Sequence, residues 1–177
     1  DTGATISKTG TGNASVGWDV VNNGNISVAN SSGLLLSGSY SGNGTANLNT
    51  SGSLALNGSL AGNSALAVNG GNIGFYDFEG TDTLALSGNY NINHYNYGNS
   101  RLAANITNAG QAILTENLYS SASNGFSTSW RNLNGGSLAL NNSSDLVLST
   151  PSYSATLIND TGATISKTGT GNASVGW

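Results

Sequence analysis

The sequence predicts an all-β chain wound as a parallel β-helix, a β-solenoid of single short strands stacked coil upon coil. Three observations carry that expectation. Residues 1–18 read DTGATISKTGTGNASVGW, and residues 160–177 repeat them at every position, an offset of 159. A long internal repeat marks a quasi-one-dimensional stack, in which each unit buries its apolar face against its neighbour. Charged residues are 7% of the chain, against about 25% in ordinary globular domains, and 26 glycines accompany a single proline. Finally, apolar residues alternate with small ones over short segments separated by Gly, Asn and Ser, the period of a strand and not of a helix. Residues 1–159 are therefore expected to form one complete solenoid repeat unit, and 160–177 to start the next identical one.

Taken in order, Thr5 to Lys8 is an expected strand, and Gly10 and Gly12 turn the chain. Ser15 to Val20 is expected as the next strand, with Val16, Trp18 and Val20 on one face. Asn22, Asn23 and Gly24 form a turn, because Asn and Gly tolerate positive φ. The pattern then recurs through Asn25–Val28, Gly33–Ser37, Thr45–Leu48 and Ser53–Leu56. It continues through Ala65–Val68, Ile73–Tyr76, Thr83–Ser87 and Tyr90–Ile92. Beyond these come Arg101–Ile106, Ala112–Thr115, Phe126–Trp130, Ser137–Leu140, Leu146–Leu148 and Ala155–Ile158. Residues 94–100 and 116–125 fit the pattern least and are expected as longer loops. Leu-x-Leu recurs at Leu34–Leu36, Leu54–Leu56, Leu84–Leu86 and Leu138–Leu140, which places two leucines inward around one outward residue.

A stack is favoured over a β-sandwich because a sandwich guards its edge strands with charges and proline, both scarce here. A solenoid covers each strand with the next coil and leaves only its ends open. At about 20 residues per coil, the repeat is expected to hold about eight rungs. At about 4.8 Å per rung the unit would be roughly 40 Å long. The coil is expected to be right-handed. Asn is suited to such a fold, since equivalent amides on successive coils can form hydrogen-bonded ladders.

Composition also limits function. The four basic residues, Lys8, Arg101, Arg131 and Lys167, can neutralise few phosphates, so nucleic acid is not an expected partner. No apolar run has the length of a membrane helix, and membrane insertion is not expected. There is no cysteine, hence no disulfide and no thiolate chemistry.

At the level of segments, DTGATISKTG (Asp160–Gly169), NNGNISV (Asn22–Val28), SGLLLSG (Ser32–Gly38) and NTSGSLALNGS (Asn49–Ser59) resemble repeats of giant bacterial surface proteins. The likeness is to the parallel β-helices of filamentous haemagglutinin and autotransporter passengers. It runs over about the first ninety residues and again from Asn132. The resemblance implies a secreted or bacterial cell-surface protein that extends as a fibre, adheres or forms a sheath. It implies no catalysis in the helix itself.

The leading expectation is thus a structural repeat of an extracellular fibre, whose partners are neighbouring copies of the same repeat. Lateral fibre partners or a surface carbohydrate are further candidates. The alternative is an adhesin stalk that binds through the Tyr-rich region 89–128, with Tyr90, His94, Tyr95, Tyr97 and Tyr119 as the candidate contact surface. Repeat packing is assigned to Val16 and Trp18 and their copies Val175 and Trp177. Asp77, Glu79 and Asp82, in DFEGTD, could offer oxygen ligands to calcium. They lack a dedicated calcium-loop signature, so a charged turn is the plainer reading and no cofactor is expected. Asp77 or Asp82 with Glu116 could form a carboxylate pair for polysaccharide cleavage. His94 is the only histidine, and the chain is too poor in acids and bases to make an enzyme the favoured reading.

Overall fold

The computed structural model describes residues 3–93, 100–120, 126–148 and 154–177. Among these there is no helix. The strands are β1 (Thr5–Lys8), β2 (Gly12–Val16), β3 (Val20–Val21), β4 (Asn25–Val28), β5 (Ser32–Leu36), β6 (Tyr40–Ser41), β7 (Asn43–Leu48), β8 (Ser53–Ser59) and β9 (Ser64–Ile92). They are followed by β10 (Ser100–Asn108), β11 (Gln111–Leu114), β12 (Leu118–Ser120), β13 (Thr128–Asn132), β14 (Ser137–Asn141), β15 (Leu146–Leu148), β16 (Ala155–Asn159) and β17 (Thr164–Thr168). All named pairings are parallel and join strands about one coil apart in sequence. The result is a parallel β-solenoid.

Each coil visits three ladders in turn. The first joins β1, β4, β7 and the opening of β9, and beyond it the later part of β9, β10, β13 and β16. The second joins β2, β5, β8 and residues 72–75 of β9. It continues from residues 89–92 of β9 through β11, β14 and β17. Within β9 this ladder is carried by the Asn93 amide, which donates to the Ile73 carbonyl at 3.0 Å. The third ladder joins β3 to β6, and Tyr40 bridges to Leu60. Beyond that, Gly58 pairs with Phe78 and Phe78 with Leu102, and β10, β12 and β15 follow.

The core is built from alternate residues, and those in register stack directly. Ile26, Ala46 and Val68 form one such column, Leu34, Leu54 and Ile73 another, and Leu84, Ile106 and Trp130 a third. All nine are buried. Each larger side chain contributes on the order of 1.5–3 kcal/mol by leaving water. Leu-x-Leu is explained by this alternation: Leu34 and Leu36 are buried, and Leu35 between them is half-exposed.

Two registers of the first ladder differ in chemistry. Lys8, Val28 and Leu48 share a register at the end of the first ladder. In the later coils a different register runs Leu86, Asn108, Asn132, Asn159. Asn108 Nδ2 donates to Asn132 Oδ1 at 3.0 Å, and Asn132 Nδ2 to Asn159 Oδ1 at 3.2 Å. On the outside, Asn69 donates to Asn47 at 3.0 Å and Asn47 to Asn25 at 2.7 Å. Amides thus link coils both in the wall and on the surface.

Two expectations need correction. The coils are not uniform. Ile6 to Ile26 and Ile26 to Ala46 are each 20 residues, but Ile106 to Trp130 is 24 and Trp130 to Leu157 is 27. The first ladder still carries eight rungs, in β1, β4, β7, two passes of β9, β10, β13 and β16, but the later ones are spaced more widely in sequence. The strands are also less separate than the Gly and Asn punctuation indicates. Residues 64–92 are one continuous strand that winds through all three ladders. Its corners are made inside the hydrogen-bonded ladder. Gly88 has φ 88°, and a Cβ there would stand 2.1 Å from the Val68 carbonyl oxygen. Only glycine fits such a corner, because both conformation and space forbid a side chain.

Candidate functional site

The feature that sets this chain apart is the segment present twice, at residues 1–18 and 160–177. Its local structure is written into its own sequence. Gly3, Gly10 and Gly12 have φ of 88°, 71° and 85°, and their copies Gly162, Gly169 and Gly171 have 83°, 69° and 87°. The Lys8 ammonium folds back onto the carbonyls of Thr9 at 2.9 Å and Gly10 at 3.0 Å. Lys167 repeats this with Thr168 at 2.5 Å and Gly169 at 3.2 Å. A lysine capping its own corner in this way stays close to the stack while its charge is satisfied.

Opposite flanks of the segment are covered at the two ends of the solenoid. In residues 1–18 the covered flank faces the following coil. Ile6 stands on Ile26, Ala14 on Leu34 and Val16 on Leu36. In residues 160–177 it faces the preceding coil. Ile165 stands on Leu138, and Val175 bridges to Leu146. The other flank is open in each case, so apolar groups remain in contact with solvent: Ile165 is 36% exposed and Val175 46%.

The two tryptophans differ for the same reason. Trp18 is 83% exposed. The chain turns at Gly17, so Ser15–Val20 is not the single strand expected; β2 stops at Val16 and β3 starts at Val20. Val20 is buried, Val16 is half-buried, and Trp18 stands out at the corner between them. An open depression lies there, lined by Ser15, Val16, Gly17 and Trp18. Trp177, with a coil beneath it, packs against the core and donates its indole N–H to the Val147 carbonyl at 3.1 Å.

The acidic group does not converge. Asp77 pairs with Arg101 at 3.5 Å. Asp82 accepts the Gly62 amide at 3.0 Å, which ties it to the preceding coil. Glu79 lies in register with Ser59 and Ala103. Among the described residues, no three acidic or histidine side chains are grouped to hold a metal.

Of the proposed contact surface, Tyr90 is a correction. It is 3% exposed, and its hydroxyl donates to Asn108 Oδ1 at 2.8 Å. Its inward position follows from register, since Tyr90 stacks with Ala112 and Leu138 on the core side. Burial pushes its pKa well above the ordinary tyrosine value. Tyr119 is half-buried, and its hydroxyl accepts from Asn117 Nδ2 at 3.3 Å. His94, Tyr95 and Tyr97 lie outside the described residues.

The sequence reading missed the buried polar network around Tyr90. Asn132 Oδ1 accepts from Asn108 and also from Trp130 Nε1 at 2.9 Å, and Asn108 Oδ1 accepts from the Gly110 amide at 2.9 Å. The signal was present as Asn two residues beyond an inward apolar residue, in Ile106-x-Asn108, Trp130-x-Asn132 and Leu157-x-Asn159.

No protein-family model matches the chain, and no curated protein or solved structure matches it. The functional reading therefore rests on the repeated segment and the stack it belongs to.

Proposed function

We propose that the chain is a structural repeat of an extended extracellular or bacterial cell-surface fibre, whose units continue one another along the coil axis and perform no catalysis in the stack. The observation that carries this reading is that the repeated segment forms a coil of the solenoid at both ends, with a different flank covered in each. A unit whose two ends are the two halves of one contact suits a linear assembly. The low charge and the amide ladders suit it as well, because cohesion comes from backbone and amide hydrogen bonds between coils. The resemblance of Asn22–Val28, Ser32–Gly38 and Asp160–Gly169 to filamentous-haemagglutinin-like repeats supports the surface location and the filament.

The test is electron microscopy and fibre diffraction of the native material. Filaments with an axial reflection near about 4.8 Å are expected. Compact particles that never extend, or filaments lacking that reflection, would overturn the proposal.

A further inference from the structure

The two copies of the repeated segment do not occupy the same ladders. In the first copy, the strand TISK is β1, in the first ladder, where it pairs with β4. In the second copy the same residues are the start of β17, which pairs with β14. That pairing belongs to the second ladder, traced through β11 and β9 to β8, β5 and β2. The next part of the segment shifts likewise. Val16 is in β2, on Leu36 of the second ladder. Its copy Val175 bridges to Leu146 of β15, in the third. The displacement is one ladder in the same direction in both parts.

The displacement is not a refolding of the segment. The three glycine corners agree within a few degrees between copies, and both lysines cap the same two carbonyls. The inward residues also stay inward: Ile6 stands on buried Ile26, and Ile165 on buried Leu138. The segment is therefore the same object placed one face further round the solenoid. Its corner and alternation are set locally, and the face it lands on is set by how many residues the preceding coils consume. The coils between the copies grow from 20 to 27 residues. Together they bring residue 160 to the start of a different face from residue 1.

We infer that successive units of this chain join end to end as one continuous solenoid in which each unit is rotated by one face, about a third of a turn, relative to the last. The inference rests on the fibre reading and deepens it. Its partner is a second copy of the same unit. The open flank of Ile165 and Val175 is to be covered by that unit's counterparts of Ile26 and Leu36, because those residues already cover the identical flank of Ile6 and Val16. Each surface feature then winds around the fibre. The Asn25–Asn47–Asn69 ladder on the outside of the first face reappears on the second face in the next unit, and returns to its first orientation only in the fourth. The true axial period is three units.

The experiment is a cryo-electron map of the chain extended by one further complete unit. A continuous column with the second unit's Asn ladder one face on supports the inference. A continuous column with both ladders on one face overturns it and leaves the fibre reading standing. Two units with no shared axis overturn both.

A second measurement uses the chain as it is, which has no cysteine of its own. Ser166 is paired in register with Ala139. The oxidised A139C/S166C double variant is expected to form an intrachain disulfide, and R131C/S166C, which tests placement on the first ladder, is expected to form none. The reverse pattern would overturn the displacement.

Discussion

At the scale of single residues, the buried polar groups determine what a substitution costs. Asn132 serves three partners: Asn108 and Trp130 donate to it, and it donates to Asn159. Asn132→Leu leaves the buried Trp130 indole N–H unpaired and Asn108 Nδ2 with the Ser137 carbonyl alone, a cost of about 1–3 kcal/mol, and the loss is expected to be read as a lower denaturation midpoint at unchanged slope. Tyr90→Phe removes one bond from Asn108, which keeps the Gly110 amide, so a smaller loss of about 1 kcal/mol is expected. Tyr90 also gives a signature in pH. Its folded pKa is raised by burial, so its contribution is complete below the unfolded value of about 10 and is lost as pH rises above it. Alkaline unfolding is expected to be less steep in Tyr90→Phe than in the parent chain. Asp19 behaves in the opposite sense. The Ser39 amide, donating at 2.9 Å, holds its pKa below 3.8. Its contribution is present above that ordinary value and is lost as pH falls through the depressed one. The stability difference between the parent and Asp19→Asn is expected to vanish in strong acid and to be constant from about pH 5 upward.

Corners and ladders belong to the scale of elements. Gly88 turns β9 at φ 88° with the Val68 carbonyl in the place a side chain would take, whereas Gly135, at φ 83°, has open space around it. Gly88→Ala is expected to cost well over about 1 kcal/mol, and Gly135→Ala only the strain of its backbone, about 1 kcal/mol. Thermal unfolding of the two variants compares them directly. This contrast also shows what the sequence made legible. Short alternating segments, the parallel stack and the inward leucines could be read from Leu34–Leu36 or Leu54–Leu56, because period two and burial are local properties. The continuity of residues 64–92 could not, because a glycine that ends a strand and one that bends it within a ladder look alike until the neighbouring coil is in place. Tyr90 was misread for a related reason. Its Asn-rich surroundings resemble a surface, but its side is fixed by pairing with Ala112. Trp18 was placed with Val16 by period two, and the corner at Gly17 broke that period. The pairing of Asn108 with Asn132, 24 residues on, depends on coil length, and coil length is the one quantity that the repeat does not hold constant.

For the molecule as a whole, the parallel arrangement has a consequence for how copies can meet. Every strand of the stack runs the same way, so the two tips of the column are chemically unlike. One offers the free side of β1 and β2, with Trp18 standing clear; the other offers the free side of β17, with Ile165 and Val175 in solvent. A pair of identical tips related by a twofold axis can only join edge strands antiparallel, and it closes after two copies. Contact of unlike tips leaves one of each kind vacant and can be repeated without limit. Any filament built this way has a direction.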